Sequence, residues 1–565
     1  MSAPTTAEPG QPSALDYVAK NVLWNRLISV CEEQANALMR AAFGAIVREA
    51  GDLSAGVFNA EGEMLAQAVT GTPGHVNTMA ASVNAMLNVI PASTLVSGDV
   101  LVTNDPWLGA GHVFDFVVVT PVFIDEMIVA YLASTSHVVD VGGLGWSAEG
   151  RSVFEEGVII PVMHLRRAGT LNEDLLRIVT TNSRVPQEAR GDILSLLSCN
   201  DTGAKRLTEL LHEYDISDLH ELTSFIFERS EQGTRAALQQ APNGEYHSEL
   251  TLDGYDSPIK LCARMLISDE QIDVDLSGSS PAISRGINCP LNYTAAYAAF
   301  GIRAMLTPQV PNNQASLNAI RITAPAGLVV SAERPAPVSA RHVIGQALPD
   351  LMFGCLDQAL PGRVLAESAG ALWTLSLSGT AETPFTSLNV VLGGMGARPS
   401  LDGLSTTAFP SGVGSVPVES AEVAAPLIYH SKEFVADSGG AGKYRGGLSQ
   451  RVEVGSRTGD ELTLSAAAFE RLNEGPAGRQ GGHRGTPGQV SLSNGTRIEH
   501  KGVHRIPAGE TLILQTPGGG GFGDPIHRAR SKVERDLAHG LISIEAATNI
   551  YHHDQNKLDG NNKEE

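Results

Sequence analysis

The chain has 565 residues, a hydrophobic content of 42% and a mean hydropathy of -0.02, which together indicate a soluble globular protein with more than one core. Its formal net charge of -22 argues against nucleic acid and anionic membranes as partners. No apolar run reaches the roughly 18–20 residues that a membrane-spanning helix needs. Residues 1–14 lack the basic start and apolar core of a secretory signal, and we interpret them as a disordered arm.

The first predicted element is a long amphipathic helix over residues 15–50, because apolar residues recur there at helical spacing. Gly51 and Asp52 end it. Short β runs follow from Val57, and residues 171–240 return to helix. These elements predict an N-terminal α+β domain over residues 15–245.

Strands dominate again beyond residue 245, and the pattern of residues 291–306 predicts an Ala-rich helix. A helical pair is predicted within 342–375. These strands and helices therefore predict a central α+β domain over residues 246–380.

The last third of the chain is rich in glycine, with short strands between the glycine segments. We interpret these segments as ordered turns of a β domain over residues 381–525 rather than as disorder. A final helix is expected at 526–551, within a helix and tail over residues 526–565. The chain is thus predicted to be a mixed, multi-domain α+β protein.

Five cysteines lie far apart without a CxxC pair, which favours reduced, mostly buried thiols and a cytoplasmic protein. Cys289 is a candidate nucleophile, although a buried cysteine is the commoner state. The tail pair His552 and His553 can bind a metal opportunistically, but we interpret both as residues of an exposed tail.

The segment from Asn104 to Gly143 carries the strongest chemical signal. His112 and Asp115 stand three residues apart directly before an apolar strand, and the next strand ends at His137. In an antiparallel hairpin the start of one strand lies beside the end of the other, so the three side chains can converge. Two imidazoles and a carboxylate suit divalent zinc, manganese or iron, with positions left open. The alternative is that each histidine is hydrogen-bonded to backbone at a strand end.

The chain resembles the hydantoinase B/oxoprolinase family almost from end to end, and this segment is one of the stretches that match. Matching stretches occur in family order, among them EAGDLSAGVFNAEGEMLAQ, NDPWLGAGHVFDF, SHVVDVGG, EEGVIIP, TNSRVPQEARGDI, DSGGAGKYRGG, EGPAGRQGG and TPGGGGFGDP. The resemblance implies a hetero-oligomer with a hydantoinase A-type ATPase subunit that binds ATP. Such complexes open cyclic amides (hydantoins, 5-oxoproline, lactams) or carboxylate ketones. In the acetone carboxylase branch, a manganese site of His, Asp and His matches His112, Asp115 and His137.

One departure from the family pattern lies beside the predicted site. The family commonly has Gly-Gly-Thr-His, whereas this chain has Gly109, Ala110, Gly111 and His112. The missing threonine hydroxyl removes a possible hydrogen bond behind the metal ligands. The departure bears on the metal and the substrate more than on the site itself.

Three further residues are candidates for catalysis. Asp52 can serve as general base, or it can cap a turn. His75 can reach the site as a ligand or proton carrier, although a histidine satisfied by backbone is the simpler interpretation. Asp140 can anchor the ring of His137 or complete the metal shell.

Other polar residues nearby have weaker signals. Glu155 and Glu156 precede an apolar run, and one of them can turn inward as acid or base, although a solvated loop edge is the default. Arg184 can clamp an anion near Asn182, or it can form a structural salt bridge with Asp192.

The glycine segments lack the Lys-Ser/Thr of a phosphate-binding loop, so we assign ATP to the partner subunit. The leading functional hypothesis is the metal-dependent subunit of an ATP-dependent cyclic-amide hydrolase. The alternatives are a subunit of a ketone carboxylase, which needs the same metal, and a non-catalytic scaffold.

Overall fold

The computed structural model describes residues 15–69, 72–370, 372–379 and 384–553. The predicted arm at residues 1–14 and the end of the predicted tail lie outside these ranges. Within them the chain forms four β-sheets with helices packed on them, as expected for a mixed α+β protein. None of the helices in the described ranges is long and apolar enough to cross a membrane.

The first sheet has seven antiparallel strands in the order β2-β1-β5-β4-β3-β6-β7. The strands are β1 (Leu53–Phe58), β2 (Met64–Gln67), β3 (Val100–Thr103), β4 (Asp115–Ile124), β5 (Met127–His137), β6 (Met163–Arg167) and β7 (Thr170–Leu171). Helices cover both faces of its central strands, which explains why β4 is a continuous apolar run rather than an alternating one.

Helices α1 and α5 cover one face of this sheet, and α3 covers the other. The helices of this part of the chain are α1 (Tyr17–Ala41), α2 (Ala45–Arg48), α3 (Pro73–Val89), α4 (Glu173–Asn182), α5 (Pro186–Glu213) and α6 (His220–Leu238). Phe116 and Val118 of β4 join the core with α1 and α5, whereas Val117 and Val119 join the core with α3. Odd-numbered positions of β4 therefore face α3.

The single helix predicted over residues 15–50 is wrong, because the chain leaves the helix between α1 and α2. The carboxylate of Asp192, on α5, accepts hydrogen bonds from the backbone N–H groups of Phe43 and Gly44 at 2.8 and 3.0 Å. These N–H groups are bound by the carboxylate instead of by a preceding helical turn. The break points the chain back toward the sheet before β1 begins.

The central part of the chain is built on a four-stranded sheet in the order β11-β10-β9-β8, in which only the β10–β11 pair is parallel. Its elements are β8 (Gly244–Leu252), β9 (Ile259–Ile267), β10 (Ile272–Asp275), α7 (Leu291–Leu306), α8 (Gln314–Asn318), β11 (Ile320–Thr323), α9 (His342–Gly345) and α10 (Leu348–Ala359). The helix predicted at 291–306 is confirmed as α7, and α7 also packs against α3.

Two four-stranded sheets form the last part, in the orders β13-β12-β16-β18 and β14-β15-β19-β17, with Trp373 and Phe469 stacked in the core between them. The elements are β12 (Leu372–Gly379), β13 (Phe385–Leu392), α11 (Val418–Ala424), β14 (Leu427–Phe434), β15 (Gln450–Ser456), β16 (Leu462–Ser465), β17 (Gln489–Leu492), β18 (Val503–Ile506) and β19 (Thr511–Gln515). Strands β12 and β13 pair on either side of residue 380, a predicted domain boundary. The domain boundaries stay a prediction.

The glycine segments are ordered, but most of their glycines lie outside turns. They run beside one another and exchange backbone hydrogen bonds, such as Gly440 N–H to the Gly519 carbonyl at 2.8 Å and Gly519 N–H to the Gly447 carbonyl at 2.9 Å. A Cβ on Gly519 would lie 2.0 Å from the carbonyl oxygen of Met395. Glycine is needed there because two backbone segments approach so closely, not because φ is positive.

The final helix predicted at 526–551 is interrupted. It consists of α12 (Arg530–Ala538) and α13 (Ile544–Asn549), separated by a turn at Gly540, where φ is +66°. A positive φ cannot be part of a right-handed helix, so the turn divides the two.

Candidate metal centre

The register of the β4–β5 hairpin places Asp115 directly opposite His137. Both residues occupy odd-numbered positions of their strands, so both side chains lie on the face covered by α3. The distance between His137 Nδ1 and Asp115 Oδ1 is 3.4 Å. The strand ends therefore converge as the spacing of the two residues predicted.

His112 approaches from the loop before β4, and its ring is fixed from behind. Its Nδ1 hydrogen-bonds the backbone carbonyl of Ser339 at 2.9 Å. Because a carbonyl only accepts, Nδ1 carries the proton and Nε2 carries the lone pair. Nε2 lies 2.9 Å from Asp115 Oδ1.

His112, Asp115 and His137 fit a divalent cation. Each offers one ligand atom, the three atoms lie within 4.8 Å of one another, and all three residues are buried. Nε2 of both histidines lacks a hydrogen-bond partner among the described residues. Buried imidazole nitrogens without partners are costly unless something else binds their lone pairs.

The second carboxylate oxygen of Asp115 is bound on the other side. It accepts hydrogen bonds from Arg341 Nη2 and from His75 Nε2, the latter at 2.8 Å. Burial alone would raise the pKa of Asp115, but its neighbours, among them His75 and the Arg341 guanidinium, outweigh burial and hold the pKa well below its ordinary value. Burial and the Arg341 cation lower the pKa of His112 to about 3. An ionised Asp115 beside a neutral His112 is the protonation state that metal ligands need.

Asp52 and His75, two of the predicted catalytic residues, are brought to the site. His75 stands in the first turn of α3, and its Nδ1 lies 3.4 Å from Asp52 Oδ1. Burial lowers the pKa of His75, but Asp115 and Asp52 on either side raise it above its ordinary value. His75 thus bridges the buried Asp115 and the more exposed Asp52.

Asp140, the third predicted catalytic residue, is directed elsewhere. Its carboxylate binds the guanidinium and the backbone N–H of Arg184 and the hydroxyl of Ser183, instead of anchoring the ring of His137. The predicted Arg184–Asp192 salt bridge is accordingly wrong, since Arg184 pairs with Asp140.

Of the two glutamates in the loop after β5, Glu156 turns inward. It is 1% exposed, and its Oε1 accepts hydrogen bonds from the backbone N–H groups of Val338 and Ser339 at 2.7 and 2.9 Å. Burial raises its pKa to about 7 despite these donors. Glu155 stays exposed. Glu156 holds the segment whose carbonyl at Ser339 binds His112.

A cavity opens from His112, Asp115 and His137. Trp146 packs edge-on against His112 and His137, with ring centroids 5.4 and 5.2 Å away, and His342 lies 5.6 Å beyond Trp146. Four aliphatic side chains line part of the wall, namely Ile46, Leu372, Leu388 and Val390. The cavity therefore combines a charged end at Asp115 with an aliphatic wall.

Sequence reasoning missed Arg341, His342 and Gln346. They follow one another on and beside α9, within the sequence SARHVIGQ, and all three are buried and line the cavity. Arg and His side by side in an otherwise apolar and small stretch is the signal that was available. This signal could not show that the three residues lie near Asp115, because their segment is more than 200 residues from β4 in the sequence.

The cysteines are all free, and four of the five are buried, as expected for reduced thiols. Cys289 is buried, and burial raises the pKa of its thiol to about 12. A thiol in that state is a poor nucleophile.

The chain belongs to the hydantoinase B/oxoprolinase family, whose sequence profile matches residues 16–525. It is 27% identical to the B component of a putative D-/L-hydantoinase from a Pseudomonas strain, over 94% of each chain. It is 26% identical to the β subunit of caprolactamase from Pseudomonas jessenii, over 95% of each chain.

Solved structures share its fold. The crystal structure of the ATP-dependent caprolactamase from Pseudomonas jessenii superposes with a TM-score of 0.86 at 23% identity, covering 96% of this chain and 97% of that one. A nucleotide-free structure of acetone carboxylase gives a TM-score of 0.84 at 19% identity, covering 94% and 79%.

Proposed function

We propose that this chain is the metal-dependent subunit of an ATP-dependent cyclic-amide hydrolase, acting with a hydantoinase A-type ATPase subunit. The observation that carries the proposal is the buried cluster of His112, Asp115 and His137 at the end of a cavity. Relatives named as hydantoinase and caprolactamase components support cyclic amides as substrates. Each of these relatives is named as one component of a larger enzyme, which supports a partner that binds ATP.

In the proposed reaction the partner transfers the γ-phosphoryl group of ATP to the amide oxygen, which makes the ring carbon a better electrophile. Water then adds to that carbon and the carbon–nitrogen bond breaks, which gives a ring-opened acyl phosphate with a free amine. A second water hydrolyses the acyl phosphate to the carboxylate and inorganic phosphate. A divalent manganese, zinc or iron ion held by His112, Asp115 and His137 would polarise the reacting groups and acidify water.

The residues of the chain have separate tasks in this scheme. Asp52 accepts a proton from the attacking water, and the ring nitrogen gains a proton as it departs. His75 and Arg341 hold Oδ2 of Asp115, which leaves Oδ1 directed at the two histidines. Trp146 and the aliphatic wall exclude bulk water.

The test is reconstitution of the complex with its partner, followed by metal analysis and an assay of ATP-dependent ring opening of lactams and hydantoins. We expect about one divalent ion per site cluster, and loss of both metal and activity in His112→Ala. Full activity of His112→Ala would overturn the proposal and indicate a scaffold. Incorporation of labelled bicarbonate into a ketone would overturn it in favour of a carboxylase.

A further inference from the structure

His342 and Gln346 present unsatisfied hydrogen-bonding atoms to the cavity. Their exposed fractions are 4% and 2%. Within the described ranges, neither ring nitrogen of His342 nor Oε1 of Gln346 has a hydrogen-bond partner. The N–H of Gln346 donates to the His342 carbonyl at 2.9 Å, so the two side chains stand one helical turn apart on the same face.

These atoms are not explained by the metal cluster. His342 is not one of the three clustered residues, and the ring of Trp146 contacts both His342 and His112, at centroid distances of 5.6 and 5.4 Å. The backbone of Leu372 approaches the His342 ring, but neither ring nitrogen has a hydrogen-bond partner among the described residues. A buried polar group left unpaired costs about 1–3 kcal/mol, so several on one cavity wall indicate a ligand that pairs with them.

The hydrogen-bonding character of both side chains is defined by their surroundings. Burial and the neighbouring Arg341 cation lower the pKa of His342 to about 3, so the ring is neutral and has one N–H donor. Gln346 Nε2 donates to the hydroxyl of Tyr297 at 3.2 Å, which identifies Oε1 as the free acceptor. The wall therefore places the His342 ring, which donates through one nitrogen and accepts through the other, beside the Gln346 Oε1 acceptor.

No arginine or lysine among the described residues that line the cavity is free to pair with an anionic substrate side chain. Among the described residues that line it, Arg341 is the only arginine or lysine, and its Nη2 and Nε are bound to Asp115 and to the Ala110 carbonyl. A substrate carboxylate would compete with Asp115 for that cation. The aliphatic residues Leu372, Leu388 and Val390 suit ring methylene groups instead.

We propose that His342 and Gln346 determine specificity by binding the amide edge of an uncharged cyclic amide. A lactam ring holds its N–H and carbonyl cis, so donor and acceptor lie on one edge. Gln346 Oε1 accepts from the ring N–H, and the His342 N–H donates to the carbonyl oxygen. This inference rests on the proposed function, and it selects unsubstituted lactams over 5-oxoproline, which carries a carboxylate.

The test compares three probes on the full chain by calorimetry: 2-piperidone, N-methyl-2-piperidone and 6-oxopiperidine-2-carboxylate, the six-membered homologue of 5-oxoproline. The first has the complete amide edge, the second lacks the N–H, and the third adds a carboxylate. We expect 2-piperidone to bind about tenfold more tightly than the other two, the equivalent of one net hydrogen bond. Equal binding of 2-piperidone and its N-methyl derivative would overturn the inference.

The variants His342→Phe and Gln346→Met keep approximate size while removing the hydrogen-bonding atoms. We expect each to lose the preference for 2-piperidone while retaining the bound divalent ion, which shows that the site is folded. Matched controls are His247→Phe and Gln358→Met, the same changes at exposed positions, which should keep the preference.

The reconstituted complex separates this inference from the proposed function. If it opens lactams and the two cavity variants leave KM unchanged, only the assignment of His342 and Gln346 fails. If it opens no cyclic amide, the proposed function fails and the inference fails with it, whatever the binding preference of the isolated chain.

Discussion

Gly111 lies directly against Arg341. A Cβ on Gly111 would stand 2.8 Å from Arg341 Cδ and 2.9 Å from Arg341 Nε, and the φ angle of Gly111 is +88°. The departure from the family's Gly-Gly-Thr-His pattern therefore has a structural reason. The side chain that threonine would place at residue 111 has no room beside a guanidinium that binds Asp115.

Substitution of Gly111 by alanine is expected to destabilise the protein and to reduce its metal content. The left-handed backbone costs a non-glycine residue about 1–2 kcal/mol, and displacing Arg341 adds about 1–3 kcal/mol. Gly169 is the matched control, because its φ is +84° and nothing lies within 4 Å of its Cβ position. Denaturant unfolding and metal analysis of both variants separate the two costs. Equal losses in Gly111→Ala and Gly169→Ala would contradict the contact with Arg341.

Replacing Asp52 by asparagine should lower kcat of the reconstituted complex by about 10²–10⁴, the usual contribution of a general base. The metal should stay bound, since Asp52 contacts His75 and not the three cluster residues. Steady-state kinetics and metal analysis give the two readouts. The exposed Asp174→Asn serves as control. An unchanged kcat in Asp52→Asn would exclude Asp52 as the proton acceptor.

The sequence predicts those residues of the site that lie close to one another along the chain, and it fails for those that lie far apart. His112, Asp115 and His137 belong to one hairpin, so strand pattern and spacing were enough to bring them together. Arg341 lies 226 residues from Asp115 and reaches it only because α7, α9 and α3 pack together. No local periodicity contains that information.

Two errors have the same origin. The helix predicted over residues 15–50 ends early because Asp192, about 150 positions later, binds the N–H groups of Phe43 and Gly44. The glycine segments looked like turns because glycine is common there. What requires glycine is the carbonyl of another backbone segment of the same chain, which occupies the Cβ position. That contact is visible only in the folded structure.

Asp140→Asn is expected to leave the metal in place. Its carboxylate is 9% exposed and binds Arg184 and Ser183, away from the three clustered residues, so the loss should cost about 1–3 kcal/mol of stability. Asp115→Asn, by contrast, should lose the metal because it removes a ligand charge. Metal analysis of the two variants side by side makes the distinction. Loss of the ion from Asp140→Asn would restore Asp140 to the metal site.

Glu156 should make stability depend on pH. Its pKa is about 7 in the folded chain against 4.5 for an ordinary glutamate. The folded state thus binds the proton more tightly, so the contribution of Glu156 to stability is complete below about pH 4.5 and is lost as pH rises through about 7. The loss amounts to at most about 3 kcal/mol.

Glu156→Gln should remove this dependence, because the amide oxygen can still accept from Val338 and Ser339. Thermal midpoints of the variant and the original chain should diverge between pH 5 and 7. Glu155→Gln, at the exposed neighbouring position, should follow the original chain. Parallel pH profiles for Glu156→Gln and the original chain would contradict the buried, protonated state.

Substitution of Gly519 by alanine is expected to destabilise the fold strongly. In Gly519→Ala the new methyl group would lie 2.0 Å from the Met395 carbonyl oxygen, so two hydrogen-bonded backbone segments must separate. We expect a loss of more than about 4 kcal/mol. Gly414→Ala is the control, because φ is not positive there and the nearest atom is 3.5 Å away. It should cost no more than about 1 kcal/mol. Similar unfolding midpoints for the two variants would show that the glycine segments can move apart at little cost in stability. Close backbone contact would then not be what requires glycine there.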